Sequence, residues 1–278
     1  MNRICLIILI LFTFTARIAA QDSFDKQYDF ANQLFADEKY YDAVTELKRL
    51  LYFDRSETYN YKANILIGKS YKQGGKFGDA LKHFTLAEIS AANRDEIYYS
   101  RIENVRVNIL RKTTKQALDL IISLEDDEKF SSKKDELNYW RGWAYMFADD
   151  WQNAAFSFGK IDSEHELKLL AEKVEGEKYS VNFAKIMSMI IPGAGQFYTG
   201  EYVSGLLSLG WNILWGYLTI KSFVDDRIFD GIMVGSLLWF RFYNGNTYNA
   251  KKFAEEKNLK ISNKALLFLR YGYEGEKP

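Results

Sequence analysis

The chain has 278 residues with 37 basic and 37 acidic side chains, long enough for two domains and formally neutral. Residues 21–180 hold 24 Lys+Arg against 29 Asp+Glu (24 − 29 = −5), and residues 181–278 hold 11 against 8 (11 − 8 = +3), so neither part has the basic excess that nucleic-acid binding uses. The single cysteine, Cys5, excludes an intramolecular disulfide framework, and two histidines, His83 and His165, argue against a histidine-rich metal site.

Residues 1–20 begin with a charge at Arg3, continue through the apolar run Ile4–Phe14 and end on Ala16, Ala19 and Ala20 before Gln21-Asp22. A charged start, an apolar core and small residues at the end predict a secretory leader cleaved after Ala20, with an uncleaved anchor as the competing form. The run is short for a membrane span.

Residues 21–162 carry one register four times. Ala43, Ala80, Ala117 and Ala154 are 37 residues apart, and Leu47, Phe84, Ile121 and Phe158 follow each alanine by four. Twelve before each stand Ala31, Gly68, Val105 and Gly142; nine before stand Leu34, Tyr71, Asn108 and Tyr145. A fixed period of this size means repeated units of two helices, with small residues admitting a close crossing and large ones filling it. This pattern resembles the tetratricopeptide repeat, whose consensus puts a small residue, an aromatic, a second alanine and a large apolar residue at these offsets. The third copy is degenerate, with Val105 and Asn108 at the small and aromatic positions. The resemblance implies four helix pairs with an inner wall built from the first helix of each. Lys62, Lys69, Lys72, Tyr99, Arg106, Tyr139 and Trp143 fall on that wall, a mixture of cations and rings suited to a protein or peptide partner bearing carboxylates. It does not reproduce the carboxylate clamp of chaperone-binding members. An ordinary solvated groove is the alternative.

Residues 163–184 predict a capping and linking helix, with Leu167, Leu170, Ala171 and Val174 on one side.

Residues 185–250 change character. No charge occurs between Lys185 and Glu201, and Pro192 is the strongest backbone break in the chain. Tyr202–Ile220 is uncharged for nineteen residues, roughly 28 Å as a helix and close to the thickness of a bilayer core. Ile228–Tyr243 is a second, less clean stretch, with Asp230 near its start and Arg241 near its end, placed to snorkel. Gly231 and Gly235 form a G-x-x-x-G pair suited to pressing this helix on the first. The stretch Pro192-Gly193-Ala194-Gly195-Gln196-Phe197-Tyr198-Thr199-Gly200 is similar to the opening of a small two-span bacterial membrane module. That resemblance implies contact with membrane lipid, and a soluble buried hairpin is the competing form. Two spans after export would return the tail to the side of the repeats, whereas a mildly basic tail favours the cytoplasm; a third piece at Ile186–Tyr198 would reconcile the two. Residues 251–278 read as a charged, helix-like stretch followed by an apolar patch at Ala265–Leu269 and a loose end at Tyr271–Pro278.

The chain has no G-x-S-x-G elbow, P-loop, H-E-x-x-H or zinc-type cysteine pair. Asp149-Asp150 and Asp225-Asp226 are adjacent acids that cannot share a helix face and suit turns. The expectation is therefore an all-α, exported, membrane-anchored scaffold with its repeats in the periplasm. It needs no cofactor or metal, is not an enzyme, and has a protein partner in a cell-envelope assembly. A channel or transporter subunit, oligomeric through the hairpin, is the alternative, with Asn212, Asp230 and Arg241 as its polar candidates.

Overall fold

A computed structural model describes residues 23–278, so the predicted leader and the start at Gln21 lie outside the described residues. Those residues are all-α, with no strand among them. They fall into two compact units. One holds the helices up to Lys168 together with Glu276–Pro278, and the other is Leu169–Gly275. The division falls inside a helix, several residues beyond the expected end of the repeats at 162.

The first unit contains α1 (residues 23–36), α2 (Tyr40–Phe53), α3 (Asn60–Gln73), α4 (Phe77–Ile89), α5 (Arg94–Leu110), α6 (Thr114–Glu125), a 3₁₀ segment (Glu128–Lys133), α7 (Lys134–Phe147) and α8 (Trp151–Gly159). From α2 onwards each helix packs on the next in the chain, and α5 also meets α7. The 37-residue register is the core of this unit. Ala43, Ala80, Ala117, Ala154, Leu47, Phe84, Ile121 and Phe158 are all fully buried. The small positions sit under the large ones: a Cβ on Gly68 would stand 2.6 Å from the Phe84 ring, and one on Gly142 would stand 2.5 Å from the Phe158 ring. No side chain fits there, which is why both positions are glycine. Val105 occupies the third copy's small position and is fully buried, and the large position there holds Ile121, smaller than phenylalanine and also fully buried.

The turns obey the same period. Glu38, Gly75, Lys112 and Asp149 all have φ between 59° and 70°, the left-handed region. The next residue's N–H reaches back to the carbonyl five before it: Lys39 to Leu34, Lys76 to Tyr71, Thr113 to Asn108 and Asp150 to Tyr145, at 2.8–3.0 Å. This closes each first helix with a 6→1 bond and aims the chain into the second. Asp150 then caps α8 by accepting from the Asn153 N–H.

His83 is buried on α4, its Nδ1 2.8 Å from the Asn64 Oδ1, with its ring centroid 5.6 Å from that of Tyr71. Burial, with Lys48 and Lys82 nearby, pushes its pKa down to about 4. His165 packs flat on Phe158, ring centroids 5.2 Å apart.

The second unit starts within α9 (Glu166–Glu177) and continues with α10 (Val181–Ile190), the short α11 (Ala194–Tyr198), α12 (Tyr202–Val224), α13 (Ile228–Met233), a π-helical segment (Val234–Trp239) and α14 (Phe240–Tyr271). The expected break near residue 250 is absent. Ala250 and Ala254 are buried on the same face of α14 that carries Ala265 and Leu269, so one 32-residue helix replaces the separate tail.

Gly142→Ala should destabilise the first unit by about 1–3 kcal/mol, because the fully buried Phe158 ring, packed against Tyr139 and His165, would have to shift. Gly78→Ala, where an added Cβ meets nothing within 4 Å, should be neutral or stabilise by up to about 1 kcal/mol. Urea unfolding of the detergent-solubilised chain measures both, and similar values for the two would contradict the interlock. His83 gives a pH test. Its folded-state pKa lies below the ordinary value of about 6.5, so the unfolded chain takes up the proton first as pH falls. Its contribution to stability is full above about pH 6.5 and declines towards pH 4. The melting temperature should fall across that window, and the His83→Gln variant should show a shallower fall.

Candidate functional site: a charged wall and a buried amide knot

Two places gather the residues singled out in the sequence. The first is on the repeats. Lys69 and Lys72 come from α3, Tyr99 and Arg106 from α5, and Tyr139 and Trp143 from α7. Lys69 stands over the Tyr99 ring, its Nζ 5.2 Å from the centroid. Lys72 and Arg106 share a third residue, Glu103. Its carboxylate, 1% exposed, accepts from Lys72 Nζ at 2.9 Å and from Arg106 Nη1 at 2.9 Å. Burial pushes the Lys72 ammonium below the ordinary lysine range, and Glu103 opposes that shift. Arg106 also lies 4.7 Å above the Trp140 ring.

The last residues of the chain belong to this wall. Arg106 Nη1 donates to Glu276 Oε1 at 2.7 Å, and Arg106 Nη2 donates to the Lys277 carbonyl at 2.7 Å. The Tyr139 hydroxyl donates to the Glu276 carbonyl. The tail expected to be loose is thus seated at Glu276–Lys277. Two wall residues behave otherwise than expected. Lys62 is exposed and takes no part in this cluster. Trp143 is 2% exposed, packed beside Tyr139 and Phe147, so it is a core residue and offers no surface to a partner.

Glu103 was missed in the sequence, although a signal exists. It lies fourteen residues before Ala117, where the second and fourth copies carry the apolar Leu66 and Trp140. A glutamate in a core register position announces a buried charge needing partners.

The second place is the glycine-rich stretch. Gly193 adopts φ 93°, and a Cβ there would meet the Gly205 carbonyl oxygen; one on Gly195 would meet the Ala184 carbonyl oxygen. These absent side chains let α11 settle against α10 and α12. Gln196, fully buried, knots the segment. Its Oε1 accepts from the Ser188 hydroxyl at 2.9 Å, and its Nε2 donates to Asn246 Oδ1 and the Asn246 carbonyl at 3.0 and 3.1 Å. Asn246 answers by accepting from the Gly193 N–H at 2.8 Å and donating to the Ser188 carbonyl at 2.7 Å. Tyr198 accepts at its hydroxyl from the Ser180 N–H and meets Tyr179 and Phe183 edge-on. Gly200 takes φ 78° in the turn into α12, and Pro192 lies between α10 and α11.

Among the described residues one helix, α12, is long and apolar enough to cross a membrane. The expected second stretch, 228–243, is divided among α13, the π segment and the start of α14. Its glycines do press on α12: a Cβ on Gly231 would stand 2.9 Å from the Phe223 ring, and one on Gly235 would stand 3.0 Å from Thr219. Trp211, Trp215 and Phe242 stack nearly parallel between α12 and α14. The polar candidates for a pore are turned to local use. Asn212 donates to the Ser208 carbonyl of its own helix, and Asp230 lies 3.6 Å from Arg227. Arg241 is exposed.

No group of three or more His, Cys, Asp or Glu among the described residues could hold a metal ion. The chain matches no family model, no curated protein and no solved structure. What the wall can do chemically is accept carboxylates and carbonyl oxygens through fixed donors; what the amide knot can do is hold a bend.

Asn246→Leu should leave the Gly193 N–H and the Ser188 carbonyl without their buried side-chain partners, at about 1–3 kcal/mol for each group. Thermal unfolding in detergent should show the loss, and Asn258→Leu, which removes a half-buried pairing with Tyr179, should cost less. An unchanged melting temperature for Asn246→Leu would contradict the knot.

Proposed function

We propose that this chain is an exported, membrane-anchored adaptor of the tetratricopeptide type that holds a protein partner on its repeat wall within a bacterial cell-envelope assembly. The observation that carries the binding half is the charged wall. Two cations, Lys72 and Arg106, converge on one buried carboxylate, leaving one positive charge on a surface that also offers rigid rings. Such a surface selects an extended acidic segment by charge and by main-chain hydrogen bonding.

Anchoring is supported by the surface of the second unit. Leu206, Leu207, Ile213, Tyr217 and Ile220 of α12 are 57–63% exposed, and Ile186 and Ile190 of α10 are 53% and 70% exposed. An apolar surface of this extent on an isolated chain marks a membrane or partner interface. The seated tail adds a parity condition. Glu276–Lys277 touches the repeats, which on this reading sets tail and repeats on one side of the membrane with an even number of crossings between them. With α12 as one crossing, 228–243 with the start of α14 is the return.

A tag after Pro278 and one in the repeats, in a bacterial host, test the topology. Both should become protease-sensitive once the outer membrane is opened, and the extracted chain should begin at Gln21 by mass. A tail tag protected until the inner membrane is broken contradicts the even number of crossings.

A further inference from the structure

The seat on α5 and α7 defines what it reads. Arg106 presents two prongs, one to the Glu276 carboxylate and one to the Lys277 carbonyl, while Tyr139 donates to the Glu276 carbonyl. Two of the three acceptors are main-chain oxygens, which any extended segment offers. Only the carboxylate imposes sequence. The charges support the same reading. Lys72 and Arg106 against Glu103 leave one positive charge, and Glu276 cancels it. Arg106 is only 15% exposed at its side chain, and its Nε is buried without a hydrogen-bond partner, so its guanidinium is already committed to this direction. A guanidinium held over the Trp140 ring and against Glu103 loses little freedom when a carboxylate arrives.

We propose that this seat is the partner site, that the partner enters as an extended segment with a glutamate or aspartate at the Glu276 position, and that Glu276–Lys277 is a cis stand-in which the segment must displace. The proposal rests on the adaptor reading above and narrows it to one pair of helices. The stand-in is held weakly: Glu276 remains exposed, its side chain 61% accessible, so its ion pair is screened by solvent and salt. A tail tethered to the same chain nevertheless acts at an effective concentration of about millimolar. If the tail itself binds the seat with a dissociation constant of about 0.1 mM, an incoming segment would then bind the closed chain about tenfold more weakly than the open seat.

The full chain in detergent micelles, with the labelled, C-terminally amidated peptide Tyr-Glu-Gly-Glu-Lys-Pro as probe, tests this by fluorescence anisotropy. The Glu276→Lys variant, whose tail is repelled by Arg106, should bind the peptide about tenfold more tightly than wild type. Adding Arg106→Gln to that variant should reverse the gain, and a peptide with lysine for its second glutamate should bind neither. Tyr139→Phe in the Glu276→Lys background keeps the ring and removes the donor, so it should weaken binding a few-fold even if the Arg106 variant folds poorly. Equal binding by wild type and Glu276→Lys, both sensitive to Arg106, overturns the cis stand-in and leaves the groove reading intact. Absence of binding by every folded variant overturns both. Light scattering closes the remaining route: wild-type dimers that dissociate on Glu276→Lys would mean that a second copy supplies the tail, which also overturns the cis arrangement.

Discussion

The first unit depends on a single steric bargain, the seating of a large ring in the space left by a missing side chain. Phe84 lies over Gly68 and Phe158 over Gly142, each pair sixteen residues apart and joined by one turn. Removing a Cβ from one helix lets its backbone approach the next, and the ring fills the gap to interior density. Everything on the wall follows from that spacing. Glu103 and Arg106 are neighbours one turn apart on α5, and Lys72 reaches Glu103 from α3, with α4 packed against both helices.

The charged cluster is costly to bury and for that reason informative. A carboxylate at 1% exposure would be strongly unfavourable alone, and two donors, one from α3 and one from its own helix, offset the loss of water. The depressed lysine shows that burial outweighs even the neighbouring acid. A purely structural core would have met the same volume with leucine or tryptophan, as the second and fourth copies do at Leu66 and Trp140. The first copy also carries an acid at this register position, Asp29, but there it is exposed; the buried acid is where the tail lands.

Much of the fold is legible in the residues, and the illegible parts have physical reasons. The alanine period identifies the helix pairs because small residues at a crossing have no substitute. The turn period is invisible, since Glu38, Gly75, Lys112 and Asp149 share a backbone conformation and no side-chain chemistry. The glycine-rich stretch advertises a tight bend, whereas Asn246, fifty residues on, carries no local mark of its part in it. Trp143 misleads because helical phase places it on the wall while its size draws it into the core. The tail misleads in the opposite sense: a short polar stretch with no periodicity reads as loose, yet Arg106 and Tyr139 seat it.

The amide knot also sets a timetable for synthesis. The interlocking pairs of the repeats close over sixteen residues, so each can form soon after its second helix emerges. The hydrogen bonds from Asn246 to Gly193 and Ser188 close over 53 and 58 residues. At roughly 5–20 residues per second, α10 and α11 wait on the order of 3–12 seconds for their partner while α12 emerges between them. During that interval the Gly193 N–H lacks its acceptor, and Gln196 has Ser188 but not Asn246. The knot therefore ties late, after the most apolar helix among the described residues has left the ribosome, and the bend at Pro192 becomes rigid only once α14 is in place.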